Sequence, residues 1–154
     1  MKSKITSIKL SHEEATFQFA QGIAPILHAG DTLLLDGQIG TGKTFFARSL
    51  IRTLLGRDED IPSPTFTLVQ TYEAANYEIW HCDLYRLTTP EDIFELGLED
   101  ALNSSVCLIE WSNRLGEDIP ESALQLTFES SQSEHSVTLA GDKNWHSRLK
   151  FLHD

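Results

Sequence analysis

Residues 37–44 have the pattern G-x-x-x-x-G-K-T and include the side chains best suited to chemistry. An apolar run at 33–35 precedes them and a stretch of helical periodicity follows, which is the context that a phosphate-binding loop needs. Glycines let such a loop curl so that backbone N–H groups point at phosphate oxygens, and the dipole of the next helix adds positive potential. Lys43 is then expected to reach the β- and γ-phosphates, and the Thr44 hydroxyl to hold Mg²⁺. The pattern predicts binding of a nucleoside triphosphate with Mg²⁺.

A magnesium ion at Thr44 needs further oxygen ligands, and a carboxylate at the end of a neighbouring strand is the usual donor. Glu110 directly follows the apolar run 106–109, and Asp83 lies in a second strand-like segment. An acid beside a buried strand is costly unless it is paired or binds a metal, which favours a functional role for Glu110. Asp83 has three possible roles that the sequence does not separate: a part of the metal site, an ion pair with Arg86, or the cap of a turn.

Several other side chains have a structural and a functional interpretation. Thr65 lies after the helix that follows the 37–44 loop, where a switch segment that reaches the γ-phosphate or Mg²⁺ often lies. Ser-Pro-Thr is also typical of a turn that leads into a strand. Trp111, next to Glu110, can stack on a base or a partner, or pack in the core. His12 and His81 lack the spacing of metal ligands, so we predict structural roles for both.

Composition narrows the class of protein. The 154 residues are predicted to form one domain, 1–154, with enough apolar residues for a full core. The net charge of −11 argues against a direct grip on nucleic acid. Cys82 and Cys107 lie in apolar runs and are expected to be buried free thiols in a reducing compartment. We find no signal peptide or membrane span, so the expected location is the cytoplasm.

Periodicity predicts the elements that must position these residues. Ser11 and Glu14 suggest a capping box that begins a helix ending near Gly30. The other predicted elements are a strand at 32–35, a helix at 43–55, a hairpin of 66–73 and 77–84, a helix at 89–102, a central strand at 106–109, a hairpin of 121–128 and 135–139, and a final helix at 145–152. This order predicts an α/β fold: a three-layer domain like the P-loop NTPases, with a mixed sheet that has a mostly parallel core and antiparallel hairpins.

Four blocks in this order resemble the TsaE family, bacterial ATPases required for threonylcarbamoyladenosine biosynthesis on tRNA. The blocks are residues 37–44, S-P-T-F-T-L at 63–68, H-x-D-L-Y-R-L at 81–87 and L-I-E-W at 108–111. The resemblance implies a Mg²⁺-dependent ATPase that works with the proteins TsaB and TsaD. TsaD performs the carbamoyl transfer, and ATP hydrolysis by the TsaE subunit resets the complex between turnovers.

The resemblance also implies roles for individual residues. Thr44 and Glu110 would hold Mg²⁺, Thr65 and Asp83 would lie around the γ-phosphate and the metal, and Lys43 would act on the phosphates. The residues implied to bind ATP are Ser11, Glu13, Gly37, Gly40, Thr41, Gly42, Lys43, Thr44, Phe45 and Trp111, with the start of the first helix near the base. The chain departs from the family at two positions, because Gln38 stands where an acid is common and Thr41 where alanine is common.

Two other functions compete with a partner-dependent ATPase. A P-loop small-molecule kinase needs an arginine-bearing lid and an acceptor pocket, and the sequence after Lys43 has few arginines and no lid-like cluster. A nucleotide-gated binding module would show negligible hydrolysis. Glu110 argues mildly against this alternative, because a metal-binding acid together with Thr44 is what a hydrolysing site needs. We therefore rank the ATPase first, the kinase second and the binding module third.

Overall fold

The computed structural model describes residues 2–38, 40–132 and 134–153, so position 39 of the predicted loop lies outside the described residues. The strands are β1 (Ser3–Lys9), β2 (Thr32–Asp36), β3 (Val69–Glu73), β4 (Glu78–Asp83), β5 (Val106–Glu110), β6 (Leu124–Ser131) and β7 (Glu134–Gly141). The α-helices are α1 (Glu13–Ile23), α2 (Lys43–Leu55), α3 (Pro90–Phe94), α4 (Leu98–Ser104) and α5 (Lys143–Arg148). Short 3₁₀ segments span Ala24–Ile26, Ser112–Asp118 and Lys150–His153.

The strands form a mixed seven-stranded sheet in the order β1-β7-β6-β2-β5-β4-β3. Strand β2 is parallel to both β5 and β6, and β5 is parallel to β4, while the outer pairs β3–β4, β6–β7 and β1–β7 are antiparallel. The carboxyl ends of β2, β4 and β5 therefore meet at one edge, where ligands bind in open α/β sheets. Asp36, Asp83 and Glu110 are the last residues of these three strands.

Helices cover both faces of the sheet, because the central strands are apolar on both sides. Alternate residues such as Leu33, Leu35 and Leu108 belong to a core cluster with α1 and α2, in which Phe46 of α2 is fully buried. Leu34, both cysteines and Ile109 face the opposite cluster, beneath α3 and α4. The predicted three-layer α/β fold with antiparallel hairpins is thus confirmed, and Cys82 and Cys107 are buried free thiols as predicted.

Several predicted boundaries are wrong for local reasons. The Ser11–Glu14 capping box does not form, because His12 is the N-cap and its Nδ1 accepts the N–H of Ala15 over 3.2 Å. The first helix ends at Ile23 and continues only as a 3₁₀ turn over Ala24–Ile26, well before Gly30. The segment predicted as one helix over 89–102 is divided into α3 and α4 by Gly97, whose φ of 102° is left-handed.

The strands also differ from the prediction at their ends. Residues 65–68 form a turn, so β3 begins at Val69 rather than at Phe66. Strand β1 was not predicted, because it is a polar edge strand in which only Ile5 is buried. The segment predicted as a final helix consists of α5 and a 3₁₀ turn. Across the described ranges, no helix has the length and apolarity needed to cross a membrane.

Candidate functional site

The glycine-rich loop connects β2 to α2 and leaves open space in front of its backbone. Gly40 and Gly42 have φ values of 86° and 101°, and a Cβ added at either would meet nothing within 4 Å. Gly37 has a different role, because a Cβ there would clash with the carbonyl oxygen of Phe128. Glycine is therefore required at 37 for close approach to β6, and at 40 and 42 for the left-handed turns that precede α2.

Lys43 begins α2, and its side chain folds back over the loop. The ammonium donates to the carbonyl oxygen of Gly37 over 2.7 Å and lies 3.8 Å from the ring centroid of Trp111. Burial lowers the pKa of Lys43, whereas the carboxylates of Glu110, Asp83 and Asp36 raise it in part. The acids at the edge of the sheet thus help to keep this buried ammonium charged.

Glu110, at the end of β5, is 1% exposed and holds its carboxylate between two donors. The Thr44 hydroxyl donates to Oε1 over 3.0 Å, and Nε2 of His81 lies 2.6 Å from Oε2. A buried carboxylate without such partners would be strongly destabilising. The contact with Thr44 brings together the two predicted metal ligands, one from α2 and one from β5.

Asp83 lies beside Glu110, because these two residues are paired in the register of β4 and β5. Its Oδ2 accepts the hydroxyl of Thr65 over 3.1 Å, and its Oδ1 accepts the backbone N–H of Tyr85 over 3.0 Å. Asp83 therefore caps the turn after β4 and at the same time anchors the Thr65 segment to the site. Arg86 does not pair with it in the described structure but lies over the ring of Phe66, 4.4 Å from the centroid.

Trp111 follows Glu110 in a left-handed conformation, with φ of 60° and ψ of 43°. This conformation is strained for a bulky residue, and such strain concentrates at functional sites. The indole packs on Tyr85, with ring centroids 4.9 Å apart, and forms one wall around the Lys43 ammonium. The next residue, Ser112, donates its hydroxyl to Asp36 over 3.0 Å, which fixes the turn to the end of β2.

A cavity of about 750 Å³ opens between the loop, α1 and the edge of the sheet. This volume lies within the usual range for ligand pockets. The predicted site residues that line it are Ser11, Glu13, Gly40, Thr41, Gly42, Lys43, Thr44, Phe45, Thr65, Asp83, Glu110 and Trp111. Gly37 does not line this cavity and contributes through its contact with Lys43.

Sequence reasoning missed several residues of the cavity wall. His135 of β7 donates through Nδ1 to the carbonyl oxygen of Thr41 over 3.2 Å, and His12 and Thr16 contribute from the start of α1. His135 is 94 residues from Thr41 in the chain, so only the register of the sheet shows the contact. His81 does not line the cavity but contacts Glu110 behind it, over 2.6 Å. Its place two residues before Asp83, on the same strand face, is the sequence signal that could have linked it to the site.

The donor set suits a magnesium ion shared with a phosphate. Thr44, Glu110 and Asp83 offer oxygen atoms, which Mg²⁺ prefers. In the described parts of the chain, no cluster of three or more His, Cys, Asp or Glu side chains is placed to hold a metal alone. Such a site fits Mg²⁺ bound by one or two carboxylates and the threonine hydroxyl, with phosphate and water as the remaining ligands.

A central parallel strand, a glycine-rich loop, a helix and acids from two adjacent strands define an α/β protein of the P-loop-like class. The family model described as "Threonylcarbamoyl adenosine biosynthesis protein TsaE" matches residues 10–138, and the chain belongs to this family.

Individual relatives agree with this assignment. The chain is 45% identical over 117 residues to the tRNA threonylcarbamoyladenosine biosynthesis protein TsaE of Rickettsia bellii, covering 76% of this chain and 81% of the relative. It is 52% identical over 103 residues to that of Rickettsia conorii, covering 67% of this chain but only 59% of the relative. The crystal structure of YdiB from Bacillus subtilis superposes with a TM-score of 0.79 at 26% identity, covering 97% of this chain and 93% of YdiB.

Proposed function

We propose that the chain is a Mg²⁺-dependent ATP-binding and hydrolysing subunit in threonylcarbamoyladenosine modification of tRNA, acting with TsaB and TsaD. The observation that carries the proposal is the contact of Thr44 with Glu110 beside the glycine-rich loop. Membership of the TsaE family supports the pathway, and the cavity between loop and sheet supports the nucleotide.

Each part of the cavity has a task in this proposal. The amides of the loop and Lys43 bind the phosphates, while Thr44 and Glu110 supply oxygen ligands for Mg²⁺. The ion, when bound, would neutralise the negative charge that develops on the phosphate oxygens. Asp83 and Thr65 hold the segment after α2 against the same edge of the sheet, next to where the γ-phosphate would lie. Ser11, Glu13 and Phe45 line the end of the cavity proposed for the base.

The arrangement of Lys43 also supports slow turnover by the isolated chain. Its ammonium donates to Gly37 and lies over Trp111, so binding of phosphate has to compete with contacts already present. The Thr65 turn carries Phe66, which is 80% exposed, and a partner that contacts this turn would act directly on Asp83. We therefore propose that TsaB and TsaD complete or close the site, as in other partner-assisted nucleotide hydrolases.

The charge and the thiols are consistent with such a subunit. A net charge of −11 suits contact with proteins better than a direct grip on tRNA. Buried free thiols at Cys82 and Cys107 suit a reducing compartment, and we propose the cytoplasm.

The decisive experiment measures ATP turnover with Mg²⁺ for the chain alone and then with TsaB and TsaD. We expect slow hydrolysis alone, a clear rise with the pair, and loss of both in Glu110→Ala. Hydrolysis that ignores the pair, together with rapid phosphate transfer to a small hydroxyl compound, would favour the kinase and overturn the proposal.

A further inference from the structure

His81 is a buried histidine whose side chain has a single hydrogen-bond partner in the described structure. The residue is 0% exposed, and Nε2 lies 2.6 Å from Oε2 of Glu110. The other ring nitrogen, Nδ1, is buried and has no partner among residues 2–38, 40–132 and 134–153. An unpaired lone pair costs less than an unpaired N–H, so the ring is best assigned with the hydrogen on Nε2, which donates to Glu110.

The position of His81 on β4 explains this contact. Side chains alternate along a strand, so Ile79, His81 and Asp83 share the face of the sheet that α1 and α2 cover. In the parallel register Asp83 is opposite Glu110, and His81 is opposite Leu108, one step further into the core. His81 therefore contacts the Glu110 carboxylate from the core side, away from the cavity, and it does not line the cavity.

The two oxygens of Glu110 consequently have different environments. Oε1 accepts from the Thr44 hydroxyl, which lines the cavity and is itself a proposed metal ligand. Oε2 accepts from a ring that has no access to solvent and no alternative partner in the described structure. The first contact can be exchanged when a ligand enters, whereas the second can persist and fix the orientation of the carboxylate.

We propose that His81 is a positioning residue, which holds Oε2 of Glu110 so that Oε1 is presented beside Thr44 to the bound metal. The inference rests on the proposed function, because it assumes that Glu110 binds Mg²⁺. Hydrogen-bond partners behind a metal ligand commonly set its orientation, and their loss weakens metal binding by about 10- to 100-fold. His81 acts through Glu110 and makes no contact with the nucleotide.

The test compares two substitutions of His81 that differ in one property. His81→Gln keeps an N–H donor at a similar distance from the backbone, whereas His81→Leu removes the donor and keeps a buried side chain. Mn²⁺ is the probe: its affinity in the presence of a non-hydrolysable ATP analogue is measured by electron paramagnetic resonance of the free ion. Affinity for the analogue without metal, in EDTA, and the thermal unfolding midpoint are measured on the same samples.

We expect His81→Leu to weaken Mn²⁺ binding by about 10-fold or more, and His81→Gln to restore most of it. Affinity for the analogue in EDTA should stay at the wild-type value in both variants. Cys82→Ala is the matched control, since Cys82 is the next residue on β4, is equally buried, and faces the opposite side of the sheet. If His81→Leu does not fold, His81→Met provides the same comparison with a more adaptable apolar side chain.

The outcomes separate this inference from the proposed function. Glu110-dependent Mn²⁺ binding that is unchanged in His81→Leu would overturn the inference and leave the proposed function standing. Equal losses in His81→Leu, His81→Gln and Cys82→Ala that follow the unfolding midpoint would also overturn it, because they would show a purely structural role. Mn²⁺ binding by the wild type that does not depend on Glu110 would overturn the metal assignment, and the inference with it.

Discussion

The hydroxyl of Thr44 donates to Oε1 of Glu110 over 3.0 Å, which joins the first turn of α2 to the last residue of β5. The two residues are 66 positions apart, and the parallel pairing of β2 with β5 brings them together. Glu110 is in register with Leu35 of β2, just before the loop that leads to α2. The sheet thus sets the distance between these two oxygen atoms before any ligand binds. This reduces the entropic cost of ordering them around a ligand.

Lys43→Ala should remove most of the affinity for the phosphates of ATP. Among the described residues of the loop, Lys43 alone has a cationic side chain, and it lines the cavity. Its ammonium contacts the carbonyl oxygen of Gly37 and the ring of Trp111. Loss of hydrogen bonds to charged phosphate oxygens is expected to cost about 2–3 kcal/mol, or roughly 30- to 150-fold in affinity. Titration calorimetry with ATP and Mg²⁺ measures this loss. Lys143→Ala, an exposed lysine on α5, is the control, and equal affinities of the two variants would contradict the prediction.

Glu110→Gln should separate metal-dependent chemistry from folding. The substitution keeps the shape of the side chain but replaces the buried carboxylate with a neutral amide, which is a weaker ligand for Mg²⁺. We expect the Mg²⁺ concentration for half-maximal turnover to rise by about 10-fold or more, while much of the metal-free nucleotide affinity remains. The unfolding midpoint should be unchanged or higher, because a buried charge is removed. Unchanged turnover at low Mg²⁺ would exclude Glu110 as a ligand.

Local sequence predicted the parts of the site that are local in the chain. The loop was predicted from its glycines and the apolar strand before it. The helix α2 was predicted with its bounds at Lys43 and Leu55 from the helical period that follows. The central strand at 106–109 was predicted for the same reason. The fold class followed from the order of these elements.

Contacts between distant segments were not predictable in this way. The donation of His135 to Thr41 depends on the position of β7 in the sheet, and the contact of His81 with Glu110 depends on the register of β4 and β5. The N-cap at His12 was missed because a serine followed by Glu14 is a stronger capping signal in sequence than a histidine ring. Tertiary packing decided the contacts of His135 and His81, whereas the cap at His12 is a local contact with Ala15.

Asp83→Asn tests whether the contact between Asp83 and the Thr65 turn is needed for ATP turnover by the isolated chain or only for turnover with TsaB and TsaD. The amide can still accept the N–H of Tyr85, but it weakens the charge-assisted bond from Thr65 by about 1 kcal/mol. ATP turnover is measured with and without TsaB and TsaD for Asp83→Asn, Thr65→Val and the double variant. We expect losses that are less than additive, since the two side chains act as one contact. A loss confined to the assays with partners would assign Asp83 to the assembled site, and fully additive losses would contradict the coupling.

The free energy of unfolding should fall as the pH rises above about 9, because of the two buried thiols. Burial raises the pKa of Cys107 to about 12 and holds that of Cys82 well above its usual value. Between the unfolded pKa near 8.5 and these folded values, the unfolded chain loses thiol protons that the folded chain keeps, so rising pH favours unfolding. The slope approaches about 1.4 kcal/mol per pH unit for each thiol that is fully ionised only in the unfolded chain.

Urea unfolding at pH 8, 9 and 10 under reducing conditions measures this slope for the wild type and for Cys82→Ala/Cys107→Ala. Burial also raises the pKa of Tyr72 and Tyr77, which lowers the stability of both proteins further near pH 10. The difference between the two proteins therefore isolates the thiols. We expect the double variant to be less stable at pH 8, since it loses buried side-chain volume, but to lose less of its stability by pH 10. If the free energy of unfolding fell equally with pH in the two proteins, the thiols would ionise equally in the folded and unfolded chains. That result would contradict the prediction, which rests on the burial of both thiols in the core beneath α3 and α4.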